Sequence, residues 1–429
     1  MSVEAFVAKI KTFPSAKEMF VQEHGSTTYG QFLQLVQKKR EFFKEKGCSD
    51  KVTLWPEYYN VNTPIELTAL ALEKAIVIPY HSKSPERVLP WVEVSPYALN
   101  TDAKQLETNK YIDELKSKKR AGLIISSTGT TGKPKWVVHD LERLFAKYLK
   151  LKNPRKVPFV YHMDNVSGIE LFLSIASAGG QFLMPKSSHP QNFSDGMTKL
   201  GHTADLLSLT PTYLRLALMN WKSETFQNVK DVNLGGERLI KSDLENFQKA
   251  LPLARIHSFY GTTESSSIQT KTLKGTNFVK WGCEGVNFKV CQGELFLKKE
   301  GYHMLGYLTE ELSPKDNWYP TGDLVEPRDY GYYEIVGRKD ARFNVGGKQV
   351  DPLIVEQVLL NFGVPDCRVY SEENSLLGNI VVAKLQLEKS KDVEAALRKH
   401  CSENLPPHAC PIRYIYTNNF GMNNRFKRN

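Results

Sequence analysis

Short apolar runs that end in polar, glycine-containing turns recur through the first part of this chain. Residues 121–125 (AGLII), 232–234 and 255–259 are such runs, and small polar residues follow each of them. A buried strand followed by a loop is the repeating unit of α/β sheets, in which ligand-binding groups collect at the carboxyl ends of strands. We therefore predict an α/β fold with binding loops along one edge of its sheet.

Helices are predicted where apolar residues recur at helical spacing before a stop signal. Residues 28–46 show this spacing before Gly47, residues 169–178 show it before a Gly-Gly pair, and residues 351–362 show it again.

The pattern of the chain changes after Gly293. Residues 293–299 (GELFLKK) and 331–336 show the pattern of antiparallel strands, and helical and strand patterns alternate beyond Arg338. A length of 429 residues suits two or three domains. We predict a large N-terminal domain over residues 1–337 and a small α+β domain over residues 338–429, with the boundary near residues 337–340.

The composition argues against several classes of protein. The most apolar stretch, residues 67–80, is interrupted by Glu73 and Lys74, so no apolar run reaches the ~18 residues of a membrane-spanning helix. The N-terminus lacks the apolar core and cleavage site of a signal peptide. The six cysteines are scattered without a CxxC pair, which predicts reduced thiols in a cytoplasmic protein and no zinc site.

The net charge is +10, from 57 basic and 47 acidic residues. Such a balance attracts polyanions, among them ATP, coenzyme A, an acidic acyl carrier protein and nucleic acid. The basic residues are interspersed with acidic ones and form no stripe with interleaved aromatics. We therefore predict no nucleic-acid partner; the alternative, a DNA-binding protein, would show a steeply salt-dependent affinity.

The strongest local signal is the run SSTGTTGKPK at residues 126–135, directly after a predicted strand. Glycine lets the backbone wrap around an anion, hydroxyls and amides donate hydrogen bonds, and lysine adds charge. This is not a Walker A loop, because only two residues separate Gly129 from Gly132 and because Pro134 follows the lysine. The composition predicts a triphosphate-binding loop, with an ordinary polar surface loop as the alternative.

A second signal, HSFYGTTES at residues 257–265, also follows a predicted strand. Tyr260 can stack on a base, and Thr262 and Thr263 can bind phosphate oxygens. Glu264 can hold Mg²⁺ through a hard oxygen ligand. The alternative is a hairpin turn with an exposed acid.

Two further segments are weaker when each is taken alone. Residues 319–324 (YPTGDL) place Asp323 on a predicted tight turn, where its carboxylate can accept both hydroxyls of a ribose. Residues 337–340 (GRKD) bring Arg338 within reach of ribose or phosphate. A plain turn and a linker are the alternatives.

Together and in this order, these segments resemble the adenylate-forming superfamily, which includes acyl- and aryl-CoA ligases, firefly luciferase and the adenylation domains of peptide synthetases. The resemblance runs from Thr28 to about Pro352 and continues more weakly to the end of the chain. It includes residues 234–237 (LGGE), similar to the family's adenine loop, and Gly306-Tyr307, similar to its Gly-Tyr pair.

The resemblance implies a role for each matching position. A phosphate loop is implied for Ser127, Thr128, Gly129, Thr130, Thr131, Gly132, Lys133 and Lys135, with Thr128 and Lys133 catalytic. The other nucleotide-binding residues are Gly235, Gly236, Glu237, Tyr260, Gly261, Thr262, Thr263, Asp323 and Arg338. Glu264 is the implied metal ligand and a catalytic residue. The resemblance also implies layered α/β sheets in the N-terminal domain and a mobile C-terminal domain, with Asp340 as the hinge.

The chain departs from the family pattern at the implied acyl pocket. Alignment on Ser167 and Gly168 places Asn165 where many relatives have a histidine, and His162 lies one helical turn earlier. The acyl pocket is therefore predicted from His162, Asn165, Ser167 and Gly168, with His162 as the alternative to Asn165. A purely structural role for these side chains is the other interpretation.

A second departure concerns the family's adenylation lysine near the C-terminus. Arg425 aligns with that lysine, and Lys427 lies two residues further on. Arginine keeps the charge but lacks the compact ammonium geometry. We predict that Arg425 or Lys427 bridges the carboxylate and the phosphate as a catalytic residue, with a solvated basic end as the alternative.

The activity implied by the resemblance is an acid–thiol ligase that uses ATP and Mg²⁺. It would activate a small aromatic or short acyl carboxylic acid as the acyl-AMP and pass the acyl group to coenzyme A. A compact chain with Val166 before Ser167-Gly168 is similar to the succinylbenzoate-CoA ligases. The alternatives are the loading of an acidic phosphopantetheinyl carrier protein and a non-catalytic nucleotide-binding relative.

Overall fold

A computed structural model describes residues 2–81, 106, 109–127, 135–268, 270–281, 287–298, 304–308, 318–374 and 378–417. The elements up to residue 127 are α1 (Ser2–Ile10), β1 (Glu18–Gln22), β2 (Gly25–Thr28), α2 (Tyr29–Glu45), β3 (Val52–Glu57), α3 (Asn62–Leu72), β4 (Ile76–His81), α4 (Lys110–Ser117) and β5 (Gly122–Ser127).

The next elements are β6 (Lys135–Asp140), α5 (Leu141–Tyr148), β7 (Lys156–Pro158), α6 (Val166–Ser177), β8 (Gln181–Leu183), α7 (Phe193–Leu200), β9 (Leu206–Leu209), α8 (Pro211–Ala217), β10 (Asp231–Leu234), α9 (Lys241–Ala250), β11 (Arg255–Ser258), β12 (Tyr260–Thr262) and β13 (Ser266–Ile268).

The remaining elements are β14 (Lys271–Thr272), β15 (Val279–Lys280), β16 (Phe288–Cys291), β17 (Glu294–Lys298), β18 (Met304–Tyr307), β19 (Trp318–Arg328), β20 (Tyr332–Arg338), β21 (Phe343–Val345), β22 (Lys348–Val350), α10 (Pro352–Asn361), β23 (Cys367–Asn374), β24 (Gly378–Gln386), α11 (Lys391–Asn404) and β25 (Arg413–Thr417).

Three sheets carry the larger part of the structure. The orders are β18-β6-β5-β4-β3 and β2-β1-β8-β7, both mixed, and β11-β10-β9, which is parallel throughout. An antiparallel sheet with the order β14-β15-β20-β19-β17-β16 follows them, and the hairpin β12–β13 lies between in sequence. Helices between parallel strands and antiparallel strands afterwards confirm the predicted α/β fold with layered sheets.

The predicted helices are confirmed at their expected places. The helix predicted over residues 28–46 is α2, which begins after Thr28; the Thr28 hydroxyl accepts a hydrogen bond from Gln31 N while the Gln31 side chain accepts one from Thr28 N. This capping box satisfies two amides that the first turn leaves without partners. The helix predicted over residues 169–178 is α6, which begins three residues earlier than expected.

The prediction of a tight turn at residues 319–324 is wrong. The segment lies inside β19, which pairs with β17 on one side and β20 on the other. Gly322 has φ of +75°, so the strand contains a local irregularity rather than a chain reversal. Turn-forming residues can occupy such an irregularity when both neighbouring strands hold the segment in a sheet.

The buried residues form several clusters, and the last of them is confined to the end of the chain. Its members lie between Val345 and Ala409. Most of them come from the strands β21, β22, β23 and β24 and from the helices α10 and α11. The largest cluster draws only on residues 3–254. The division into residues 1–337 and 338–429 stays a prediction, which this separate cluster supports. Among the described helices, none has the length and apolar character needed to cross a membrane.

Candidate functional site

One cleft gathers most of the predicted nucleotide-binding residues. It is a cavity of about 860 Å³, bordered by the β12–β13 hairpin, the middle of β19, the end of β20 and one side of α10. The predicted residues that line it are Lys135, Gly236, Glu237, Tyr260, Gly261, Thr262, Thr263, Glu264, Asp323, Arg338 and Asp340. Segments that lie far apart in the chain therefore meet at one place.

The parallel sheet explains why two of these segments are neighbours. Leu234 of β10 lies opposite Ser258 of β11, so both strands leave the sheet at the same edge. The amide of Gly235 donates to Leu209 O at 3.2 Å, and the amide of Phe259 donates to Leu234 O at 2.7 Å. The LGGE loop and the hairpin thus start side by side at the carboxyl ends of parallel strands, where such sheets bind ligands.

Side chains hold the tip of the β12–β13 hairpin in one conformation. Thr262 N donates to Ser265 Oγ at 3.1 Å, and Ser265 N donates to Thr262 Oγ1 at 3.1 Å. The Nε2 atom of His139 lies 2.7 Å from the carbonyl oxygen of Thr263. Ser266 has φ of +56°, a left-handed conformation that residues other than glycine rarely adopt. These hydrogen bonds fix the conformation of the tip, in which Thr263 faces the cleft.

Glu264 is a buried acid at this tip, and not the exposed acid of an ordinary hairpin turn. Its side chain accepts a hydrogen bond from the Tyr307 hydroxyl at 3.0 Å, and that hydroxyl lies 2.7 Å from the hydroxyl of Tyr319. Burial, followed by the charge of Glu264, raises the pKa of Tyr307. Lys135 Nζ lies 5.5 Å from the centre of the Tyr307 ring. The hydroxyls of Tyr307 and Tyr319 thus orient the Glu264 carboxylate toward the cleft, which Lys135 also lines.

Asp323 is the centre of a second buried group. Its Oδ1 accepts from Arg338 Nη1 at 3.0 Å, and its Oδ2 accepts from the Tyr260 hydroxyl at 2.5 Å. Arg338 also bonds both oxygens of Asp340, at 3.0 and 3.2 Å. Burial raises the pKa of Asp323, although Arg338 and Tyr260 oppose the rise. The register of β19 and β20, which places Asp323 opposite Arg338, creates this pair.

Glu237 closes another side of the cleft. Its Oε2 accepts a hydrogen bond from the amide of Thr212 at 3.1 Å, in the first turn of α8. Several residues that line the same cavity received no role in the sequence analysis, among them Arg215, Tyr319 and Gln357. Tyr319 could have been found, because it lies within the predicted motif at residues 319–324. Arg215 and Gln357 lie on helices that carry no local binding signal.

The predicted acyl-pocket residues do not line this cavity. Both polar atoms of the Asn165 side chain serve the start of α6: Oδ1 accepts from Gly168 N at 3.1 Å, and Nδ2 donates to His162 O at 2.8 Å. Ser167 is exposed. His162 is buried, and its Nδ1 lies 2.8 Å from Glu57 Oε2. The geometry shows Asn165 as the cap of α6, and its place in an acyl pocket stays a prediction.

Some predicted residues lie outside the part of the chain that the structure describes. These are Thr128, Gly129, Thr130, Thr131, Gly132, Lys133, Arg425 and Lys427. The ends of the predicted phosphate loop are described: β5 ends at Ser127 and β6 begins at Lys135, and the two residues are paired in the sheet.

Comparison with known proteins identifies the relatives of this chain. The sequence profile of the family described as AMP-binding enzyme matches residues 65–290. A 2-succinylbenzoate–CoA ligase from Listeria monocytogenes is 28% identical over 313 residues, which are 68% of this chain and 65% of the relative. Surfactin synthase subunit 2 from Bacillus subtilis is 22% identical over 72% of this chain and 10% of its own length. The chain thus spans less than two-thirds of the length of these two relatives.

Solved structures match over nearly the whole chain. The o-succinylbenzoate coenzyme A synthetase from Bacillus subtilis, in complex with an acyl-adenylate intermediate, has a TM-score of 0.77 and 17% identity, covering 99% of this chain and 96% of that one. An anthranilate coenzyme A ligase in complex with anthranoyl-AMP has a TM-score of 0.76 and 16% identity, covering 100% of this chain and 95% of that one. At these identities the likeness shows the fold.

Proposed function

The chain belongs to the AMP-binding enzyme family, and from this premise we propose that it is an acid–thiol ligase that activates a small carboxylic acid with ATP. The acid would attack the α-phosphate to give an acyl-AMP and pyrophosphate, and a thiol would then displace AMP. The convergence of Lys135, Glu264, Asp323 and Arg338 on one cleft is the observation that carries this proposal.

The cleft has suitable groups for each part of the nucleotide. Asp323 and Arg338 would hold the ribose hydroxyls, because a buried carboxylate beside a guanidinium offers both acceptors and donors. Gly236 and Tyr260 would contact the adenine. Thr263 would donate to a phosphate oxygen, and preorganised donors of this kind stabilise the charge that builds up on phosphorus.

Glu264 fits the part of a magnesium ligand. Its carboxylate is a hard oxygen ligand, and Mg²⁺ is commonly held by one or two carboxylates together with substrate phosphates and water. The Tyr307 hydroxyl bonds to one of its oxygens and orients it toward the cleft. When bound, the ion would neutralise charge on the phosphates.

The substrate class is proposed from the relatives. Three of the four proteins named above are coenzyme A ligases for 2-succinylbenzoate or anthranilate, so we propose an aromatic carboxylic acid, with coenzyme A as the acceptor. An acidic carrier protein is the alternative acceptor, and the net charge of +10 would suit either partner.

The five described cysteines are all free thiols, which supports a cytoplasmic location.

Pyrophosphate exchange tests the first half-reaction, and thioester formation tests the second. We expect ATP–pyrophosphate exchange with benzoate-type acids and thioester formation when coenzyme A is added. Thioester formed only with a phosphopantetheinyl carrier would reassign the acceptor. ATP binding without exchange for any aryl or alkyl acid would make the chain a non-catalytic nucleotide binder.

Two variants on β19 test whether the activity depends on the cleft. Asp323→Asn removes a charged acceptor, and a lost charged hydrogen bond costs about 1.5–3 kcal/mol, or about 10- to 150-fold in kcat/KM for ATP. Glu326→Gln is the matched control, because Glu326 lies three residues along β19 with its side chain 55% exposed. Equal activities in the two variants would remove Asp323 from the nucleotide site.

A further inference from the structure

A buried ion pair lies directly behind the tip of the β12–β13 hairpin. Lys147 at the end of α5 and Glu170 in α6 approach to 2.6 Å between Nζ and Oε1. The Tyr148 hydroxyl donates to the same Glu170 oxygen at 2.6 Å. Neither helix carries a residue predicted to touch the nucleotide, so the group lies outside the site described above.

Both members of the pair bond to the hairpin. Lys147 Nζ donates to Ser266 Oγ at 3.0 Å and to Ser267 O at 2.5 Å. Glu170 Oε2 accepts from Ser267 N at 2.8 Å, and its Oε1 accepts from Ser267 Oγ at 3.2 Å. The start of β13 is thus bonded through backbone and side chains to two helices.

The charges of this pair are costly to bury. The side chain of Lys147 is 22% exposed and that of Glu170 is 7% exposed. Burial alone would raise the pKa of Glu170, but Lys147, Tyr148 and Ser267 together hold that pKa below its usual value. A buried ion pair of this kind contributes little net stability compared with an apolar pair, so a role other than stabilisation has to explain it.

The pair holds the one strained residue of the hairpin. Ser266 is buried and has φ of +56°, a conformation that costs about 1 kcal/mol or more for a residue with a side chain. Such strain persists only where the surroundings over-determine it. Two residues before it stands Glu264, and Ser265 Oγ donates to Ser266 O at 2.9 Å. The conformation of Ser266 therefore sets the direction of the tip.

We propose that Lys147 and Glu170 are positioning residues that fix the tip of the β12–β13 hairpin, so that Thr263 and Glu264 face the cleft. The inference rests on the proposed function for its kinetic consequence. The structural consequence, an ordered hairpin tip, does not depend on the proposed function.

The test uses a double variant that separates stability from positioning. Lys147→Met with Glu170→Gln removes both charges while keeping similar side-chain volumes, so no unpaired charge stays buried. The matched control is Lys74→Met with Glu142→Gln. That pair approaches to 3.0 Å with exposures of 11% and 1%, and its glutamate lies on the same helix, α5.

The first readout is hydrogen exchange of the backbone amides of residues 262–268. We expect faster exchange there in the Lys147/Glu170 double variant and unchanged exchange there in the control. Equal exchange in wild type and double variant would overturn the proposal, whether or not the wild type uses ATP.

The second readout is the KM for Mg·ATP in pyrophosphate exchange. Changes in groups that orient ligands typically cost 10-fold or more, so we expect a rise of about tenfold in KM for the double variant and none for the control. A wild type without exchange activity would refute the proposed function, whereas an active wild type with equal KM in the double variant would refute positioning.

Discussion

Arg215 joins two buried carboxylates, and its removal is expected to destabilise the protein strongly. Its Nε and Nη2 donate to Asp243 at 2.8 and 2.6 Å, and its Nη1 donates to Asp366 at 3.2 Å. The side chains of Asp243 and Asp366 are 4% and 1% exposed. Arg215→Met keeps most of the apolar stem and leaves both carboxylates buried without this cation.

The magnitude follows from that burial. Removal of one partner from a buried ion pair costs about 3–5 kcal/mol, because the remaining charge has lost its compensation. Two carboxylates depend on Arg215, so we expect a loss in the upper half of that range in the free energy of unfolding at neutral pH. The bidentate geometry with Asp243 should supply the larger share, since two parallel bonds are stronger than one at 3.2 Å.

Urea denaturation measures the loss, and a double-mutant cycle divides it. All six tryptophans precede residue 338, so their fluorescence reports on the larger part of the chain, and far-ultraviolet circular dichroism covers the rest. Combining Arg215→Met with Asp243→Asn or with Asp366→Asn gives each coupling energy separately.

The cycle has a clear contrary outcome. A loss below about 1 kcal/mol for Arg215→Met would mean that water reaches both carboxylates, as at exposed ion pairs. A coupling energy near zero with Asp366 alone would show that the link between α8 and the C-terminal cluster contributes nothing.

Three further predictions concern pH, packing and thiol reactivity. Because its pKa is raised, Asp323 contributes stability that is fully present below 3.8 and is lost as pH rises through the raised value; Asp323→Asn should abolish this loss in unfolding measured across pH. A Cβ on Gly168 would lie 2.1 Å from a backbone carbonyl oxygen, so Gly168→Ala should cost about 1–3 kcal/mol in urea unfolding, and Ser167→Ala, at an exposed position, almost nothing. Of the five described cysteines, exposed Cys291 should react first with N-ethylmaleimide at pH 7.5, whereas Cys48, whose pKa burial raises to about 11, should stay unmodified by mass spectrometry.

Local chemistry was enough to predict the helices and the family. The capping residues at Thr28 and the stop at Gly47 act within a few positions of the helix that they bound, so α2 could be predicted from its own residues. The order of the motifs identified the family of AMP-binding enzymes, and that prediction is confirmed. The phosphate loop and the tail stay predictions, because both lie outside the described residues.

The tertiary structure alone decided what surrounds the predicted site residues. The sequence placed Asp323 on a turn, but β17 and β20 on either side make it part of a strand that faces Arg338. The sequence predicted Asn165 for the acyl pocket, which stays a prediction, but it did not predict that the amide caps the start of α6. A short motif determines which chemical groups are available. The burial and the partners of those groups depend on residues that are often more than 100 positions away in the chain, as with Ser266 and Lys147. A local sequence pattern contains no information about such contacts.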